Sequence, residues 1–374
     1  MTTLPGIAHG MDSSLPATGH IISAYALGVV FGAPLITVFC AKAPRRAMLI
    51  GLMLAVAIAN VFSSAAANLP TLLVARFLCG LPHGAYFGIA ALVAASMTTP
   101  DRRGRAVSRV MLGLTVANVV GVPVTTAISD YLGWRSSFML IGGLAVFAAI
   151  GCALYVPQSP PGSATPKSEI AVFRRLQVWL TLSVVAIGFG GLFALYTYIT
   201  PTLTEITGLS PSVLPFYLSL LGVGMTCGSL IGGRLADKSP NWTILGVLAW
   251  NALVLPMFAV SAHNPAAAAL NLLAMGAGIA VVPAVQTRLM DVAGDAQTVS
   301  ASLLHAAFNV ANAIGAWCGG VVVSAGMGLG ATGFVGTVLG FGGAIALGIA
   351  VIHQRTTSRR SDATPECTTC QKAS

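Results

Sequence analysis

Gly113-Leu-Thr-Val-Ala-Asn-Val-Val-Gly-Val-Pro123 lies inside an apolar run that extends from about residue 106 to residue 129. A run of that length and character crosses a lipid bilayer. In lipid every backbone N–H and C=O needs a partner within the protein, so the run must be helical. Gly121 and Pro123 weaken that helix where water could not repair it, so neighbouring helices must support it. Gly113, Ala117 and Gly121 recur every fourth residue, which sets small side chains along one face and invites a second helix to approach closely. Asn118 lies off that groove. A packing groove with a proline kink is the plainer reading of these residues, and a gating helix is the functional one.

Outward from this stretch the chain keeps the same character. Its 374 residues are 56% hydrophobic and only 8% charged, with 42 Gly, 20 Pro and a mean hydropathy of +0.85. Soluble domains carry about 25% charged residues, which excludes an ordinary globular fold. Apolar runs long enough to span a membrane fall at residues 21–40, 47–66, 70–97, 106–129, 134–156, 176–199, 212–233, 243–262, 265–290, 297–324 and 330–352, eleven in all. The fold class expected is therefore an all-α membrane protein.

The formal net charge is +9, but the position of the bases decides its meaning. Lys42, Arg45 and Arg46 fall in one gap between spans. Every second gap then follows suit: Arg102, Arg103, Arg105 and Arg109; Lys167, Arg174 and Arg175; Arg234 and Lys238; Arg288; and the tail with Arg355, Arg359, Arg360 and Lys372. The intervening segments hold almost none, Arg135 at the mouth of a span being the exception, while Arg76 lies within a span. Positive charge stays on the cytoplasmic side, which places the C-terminus in the cytoplasm. The charge is thus topological, and no nucleic-acid partner is implied. Residues 1–20 have neither a basic start nor a long apolar core, so they do not read as a signal peptide. The chain is then expected to start outside, an awkward result that an odd number of spans sharpens.

Within the spans, polar residues are few and informative. Arg76 and His83 are seven apart and share a helix face; an embedded charge faces a watery interior or a partner, or snorkels to the surface. Ser302, His305, Asn309 and Asn312 form one polar stripe on an otherwise apolar helix. Asn251, Pro283 and Gln286 interrupt other spans, and Gly224, Gly228 and Gly232 repeat every fourth residue before Gly233-Arg-Leu-Ala-Asp-Lys238. Five of the seven cysteines lie in or beside spans as small apolar fillers, and Cys367-Thr-Thr-Cys370 in the polar tail is weak grounds for metal chemistry. The stretch from Pro157 to Pro166 is a proline-rich linker. It divides the chain into an N-terminal bundle (1–156), a linker (157–175), a C-terminal bundle (176–353) and a polar tail (354–374).

Two groups of spans around a basic linker resemble the major facilitator superfamily. Gly233-Arg-Leu-Ala-Asp237-Lys238 is similar to the family's cytoplasmic loop signature, and the equivalent earlier loop, Ala41-Lys-Ala-Pro-Arg-Arg46, has Ala41 where the acid would be. Arg76 with Gly80 resembles the arginine motif of the family's fourth helix, and Gly113 to Pro123 the antiporter signature of its fifth. Ala17-Thr-Gly-His-Ile-Ile-Ser-Ala-Tyr-Ala-Leu-Gly-Val-Val-Phe-Gly-Ala-Pro34, His83-Gly-Ala-Tyr-Phe-Gly88, Gly133-Trp-Arg135 and Tyr196-Thr-Tyr-Ile-Thr-Pro201 look like the arabinose-efflux-permease branch of the drug and sugar antiporters. The resemblance implies two helical bundles and twelve spans. It also implies that the first family helix is absent, Leu4-Pro-Gly-Ile-Ala8 matching only its outer end.

The reading that follows is a secondary transporter in a bacterial inner membrane. It would export a small organic molecule (a sugar, a nucleoside or an antibiotic-like drug) by alternating access, as a monomer, with protons as the coupling ion and no cofactor or metal. Candidate cavity residues are His83, Asn118, Tyr196, Gln286, His305 and Asn309. Arg76 and His83 would relay charge, His having the pKa for proton exchange near neutrality. Gly113, Gly121 and Pro123 would form the gating helix, and Arg234, Asp237 and Lys238 the cytoplasmic latch. In relatives the first helix often carries a glutamate, and here every carboxylate is expected outside the spans, Glu169 among those on the cytoplasmic side. A transport-incompetent remnant and an uncoupled facilitator are the alternatives. An intramembrane enzyme is disfavoured, because no nucleophile–base pair, metal cluster or paired acids occur within the spans.

Overall fold

The computed structural model describes residues 4–158, 166–210, 212–294 and 296–362, and among these there is no strand. The Cys367–Cys370 pair and the middle of the linker lie outside the described residues. A short helix α1 (Leu4–Gly10) precedes α2 (Leu15–Phe39), α3 (Arg45–Ala65), α4 (Leu69–Ser96), α5 (Arg103–Val116), α6 (Val122–Leu132) and α7 (Trp134–Tyr155). The linker contributes α8 (Pro166–Ile170). The second bundle has α9 (Leu176–Gly188) and α10 (Gly190–Thr197) as one near-continuous rod, a single turn α11 (Ile199–Pro201), then α12 (Leu214–Lys238), α13 (Pro240–Ser261), α14 (Pro265–Gly276), α15 (Val281–Ala293), α16 (Gln297–Ser324) and α17 (Thr332–Asp362). Ten helices among the described residues are long and apolar enough to cross a membrane, and α5 with α6, bent by 45°, makes an eleventh. That count agrees with the sequence reading.

Helix starts are set locally. Asn68 and Thr71 cap each other reciprocally at the head of α4, with Asn68 Oδ1 accepting from the Thr71 N–H at 3.0 Å. At the head of α14 Asn264 Oδ1 accepts from the Ala267 N–H at 3.1 Å, ahead of Pro265 in the first turn, where its missing N–H costs nothing. Glycine then sets how closely helices pack. A Cβ on Gly28 would collide with the Phe77 carbonyl, and one on Gly80 with the Tyr25 carbonyl, so α2 and α4 touch backbone to backbone. The every-fourth glycines of α12 do the same: Gly224, Gly228 and Gly232 lie against the carbonyls of Leu273, Ala277 and Ala280. Such contact replaces the hydrophobic drive that lipid does not supply.

The opening stretch behaves differently from its expected groove. Nothing approaches the Cβ position of Gly113, and only Ala117 of the same helix lies near that of Gly121. The close approach occurs in the first turn of α5 instead, where a Cβ on Gly104 would sit 2.6 Å from the Gly233 carbonyl of α12. Between α5 and α6 the backbone widens into a π turn, Ala117–Gly121. Pro123 has no N–H to close an α-helical turn there. Side chains take up carbonyls around the break: Asn118 Nδ2 donates to Leu114 O at 2.9 Å, and Thr125 Oγ1 to Gly121 O at 2.7 Å.

The two ends of the molecule are packed differently. Toward the end that carries the basic gaps, one apolar cluster runs across both bundles and joins Leu92, Val107 and Met111 to Val285, Val299 and Leu304. At the opposite end each bundle has its own cluster, around Ile7, Leu72 and Trp134 in the first and around Leu203, Leu272 and Phe258 in the second. The bundles are therefore closed together at the basic end and separate at the other. The outer faces expose large apolar side chains such as Phe147, Leu270 and Trp317, as lipid contact requires.

Candidate transport site

Between the bundles lies a cavity of about 260 Å³. His83 of α4 and Asn118 of the π turn line it from the first bundle, and Tyr196, His305 and Asn309 from the second. Five of the six cavity residues expected from the sequence thus come together. The sixth does not. Gln286 is buried against α16, where its Nε2 donates to Ala301 O at 3.3 Å, so it ties α15 to α16 and does not face the cavity. The remaining lining is mostly apolar and includes Phe189, Phe193, Met225 and Met275. No carboxylate lines the cavity among the described residues.

The polar groups are arranged across the bundle interface. The rings of His83 and His305 meet edge to face with centroids 5.7 Å apart, and Phe87 lies 5.0 Å from each. Both Asn118 and Asn309 turn their amide N–H back onto the carbonyl four residues earlier, at 2.9 and 2.8 Å. His305 Nε2 is buried without a hydrogen-bond partner. An orphaned polar atom in so apolar a setting is costly, which marks the position for a ligand or a water.

Sequence reasoning missed Tyr25. Its hydroxyl is 2.7 Å from His83 Nδ1, and its ring lies under the Arg76 guanidinium, 4.7 Å from centroid to Cζ. Arg76 therefore does not enter the central cavity. It faces a second cavity of about 180 Å³ lined by Leu4, Ile7 and Phe138, and reaches His83 only through Tyr25. Tyr25 and His83 are 58 residues apart and come together because Gly28 and Gly80 let α2 and α4 touch, a pairing that no local spacing announces.

A further opening of about 630 Å³ lies between α6 and α12, lined by Pro123, Asp130, Thr200 and Leu218, and it shares Asn118 with the central cavity. The site thus opens toward the end opposite the bases. At the basic end the halves are tied by Asp237. Its Oδ1 accepts from the backbone N–H of Gly104 at 2.7 Å and of Arg105 at 3.3 Å, and its Oδ2 pairs with Arg105 Nε at 2.9 Å. The expected partners, Arg234 and Lys238, take no part: Arg234 turns to Leu230 O of its own helix, and Lys238 is exposed. The physical reason is direction, since the α12 terminus points Asp237 at the uncapped first turn of α5, whose N–H groups and positive dipole end favour a carboxylate. Arg103 and Asp291 add a weaker link at 3.9 Å, α5 to α15.

Two helical bundles that enclose a cavity between them, packed together at one end and separate at the other, are the architecture of a multi-pass membrane transporter. The chain belongs to the Major Facilitator Superfamily, which it matches over residues 1–316. It is 41% identical over 354 residues to the inner membrane transport protein YdhP of Escherichia coli K12, covering 94% of this chain and 89% of that one. A chloramphenicol resistance protein of Streptomyces lividans is 29% identical, covering 83% and 81% of the two chains. A probable sugar efflux transporter of Helicobacter acinonychis is 28% identical, covering 90% and 86%. Among solved structures, the Escherichia coli fucose:proton symporter FucP superposes with a TM-score of 0.72 at 14% identity, covering 93% of each chain, a likeness of fold alone.

Proposed function

We propose that this transporter exports a small, uncharged organic molecule by alternating access, with protons as the coupling ion. The observation that carries the reading is the central cavity with His83, Asn118, Tyr196, His305 and Asn309 facing one another across the bundle interface. By the positive-inside rule the basic end is cytoplasmic and the C-terminus lies on that side. The described conformation is then open to the outside and latched within. An apolar lining with a few amide, phenol and imidazole groups suits a sugar, a nucleoside or an amphenicol-like drug better than a highly charged solute. The names of the relatives in sugar efflux and chloramphenicol resistance support the same range. We assign residues 1–156 and 176–353 to the two moving bundles, 157–175 to the linker and 354–374 to a cytoplasmic tail, in a monomer of a bacterial inner membrane.

Coupling falls to His83 and His305, with Tyr25 and Arg76 behind His83. Gly113, Gly121 and Pro123 belong to the flexing helix, where the π turn supplies the weak point. The test is substrate-induced proton movement in proteoliposomes across a panel of sugars, nucleosides and amphenicols. Proton movement that is lost in H83A and H305A supports the assignment; full coupling in both variants removes it. Substrate flux without proton movement would favour an uncoupled facilitator, the reading supported by a cavity without carboxylates.

A further inference from the structure

The structure shows one seam between the halves closed by Asp237 at the first turn of α5. The opposite seam, where α2 packs along α16, has an equivalent arrangement from an unexpected source. The loop after α2 holds Ala41, not an acid, where the resemblance to the family's loop signature would put the counterpart of Asp237. Helix α16 also lacks a side-chain N-cap of its own: Ala296 stands there. Its open first turn is filled by Glu169 of the linker helix α8. Glu169 is fully buried, and its Oε2 accepts from the Val299 N–H at 3.1 Å, across 130 residues. The two carboxylates thus meet corresponding atoms: the N–H of the third residue of α5 and of α16 are Arg105 and Val299, each in a helix without a local cap.

The sequence reading left Glu169 on the cytoplasmic side of a proline-rich linker, with nothing to mark it. Burial of a carboxyl in a linker is costly unless hydrogen bonds and a helix dipole offset it. Here α16 supplies both to Oε2, Oε1 being buried without a hydrogen-bond partner, and Arg45 at the start of α3 adds a favourable charge nearby. Helix α16 is also the one that carries His305 and Asn309 into the cavity.

We propose that Glu169 is a positioning residue of the transport cycle: the linker supplies, at the α2/α16 seam, the carboxyl clamp that Asp237 supplies at the α5/α12 seam. Closing the basic end then requires the linker to be docked, which gives it a part in the cycle beyond joining the bundles. This rests on the alternating-access reading above.

The test is hydrogen–deuterium exchange of the full chain in lipid nanodiscs, read at the first turns of α16 and α5 in wild type, E169A and E169Q. E169A is expected to speed exchange of the Val299 amide, and also of Gly104 and Arg105 at the far seam, by about two- to tenfold, the loss of one ordinary hydrogen bond. E169Q retains an acceptor oxygen and is expected to lose less. The double variant A41D/E169A, with the acid returned to the loop, is expected to recover protection at both seams. A purely local cap would leave Gly104 and Arg105 unchanged in E169A, and that result overturns the proposal. Exchange at both seams in A41D/E169A no slower than in E169A would overturn the equivalence of the two clamps, and A41D/E169A supplies the readout if E169A does not assemble. Absence of transport for every compound of the proteoliposome panel defeats the alternating-access reading instead, so the two failures are distinct.

Discussion

Replacing Asp237 by Asn should loosen the seam at the basic end without unfolding either bundle. The side chain is 4% exposed and makes three contacts, two to backbone N–H groups and one to Arg105, whose own side chain is 47% exposed. Hydrogen bonds to a charged group contribute about 1.5–3 kcal/mol, but Asn keeps an acceptor for one N–H, and a half-exposed ion pair adds only about 0–1 kcal/mol. The net loss is about 1–2 kcal/mol, or about 5- to 30-fold in the ratio of closed to open seam. Hydrogen exchange at the Gly104 and Arg105 amides reads that ratio directly, because a local opening exposes them at a rate set by its free energy. The first turn of α5 should exchange about 5- to 30-fold faster in D237N, while R234A and K238A should match wild type. Equal protection in D237N, or a loss in R234A as large as in D237N, would refute the assignment of Arg105 and the α5 terminus as the partners.

Other outcomes follow from the same geometry. Y25F removes the hydroxyl 2.7 Å from His83 Nδ1 and should slow proton-coupled transport several-fold with unchanged thermal stability, checked by proton flux and by melting in detergent. G80A, whose Cβ would collide with the Tyr25 carbonyl, should prevent stable assembly, whereas G113A, with nothing within 4 Å, should melt like wild type. Q286A should lower the melting temperature and leave apparent substrate affinity intact, while N309A should do the reverse, as a transport KM measurement would show. Burial pushes the Glu169 carboxyl above the ordinary glutamate range, against weaker pulls from Val299, Thr298 and Arg45. Arg45 of α3 is the charge facing it, the loop after α2 holding Ala41 and α16 offering Thr298 and the Val299 N–H. The closed form therefore binds a proton at this carboxyl more readily than the open form. Protection of the Val299 amide should be greatest below the ordinary glutamate value, about 4.3, and decline as pH rises through the raised value; in E169Q that dependence should vanish.

The amino-acid sequence by itself determined the solvent and the number of spans, because bilayer thickness and backbone hydrogen bonding leave a long apolar run only the helical choice. It also marked His83, Asn118, Tyr196, His305 and Asn309, since an uncharged polar residue within a span is rare enough to stand out. Tertiary structure decided who their partners are. Gln286 looked the same in sequence, yet the rotation of α15 turns it into a helix–helix tie. The groove expected at Gly113 and Gly121 moved to Gly104 and Gly233, because close approach depends on where two helices cross and not on spacing along one. Tyr25 and Glu169 were silent in sequence because each acts on an atom more than fifty residues away, Tyr25 on a ring nitrogen and Glu169 on a backbone N–H. A backbone donor has no residue type to read, so a clamp made on one becomes visible only when the helices are packed.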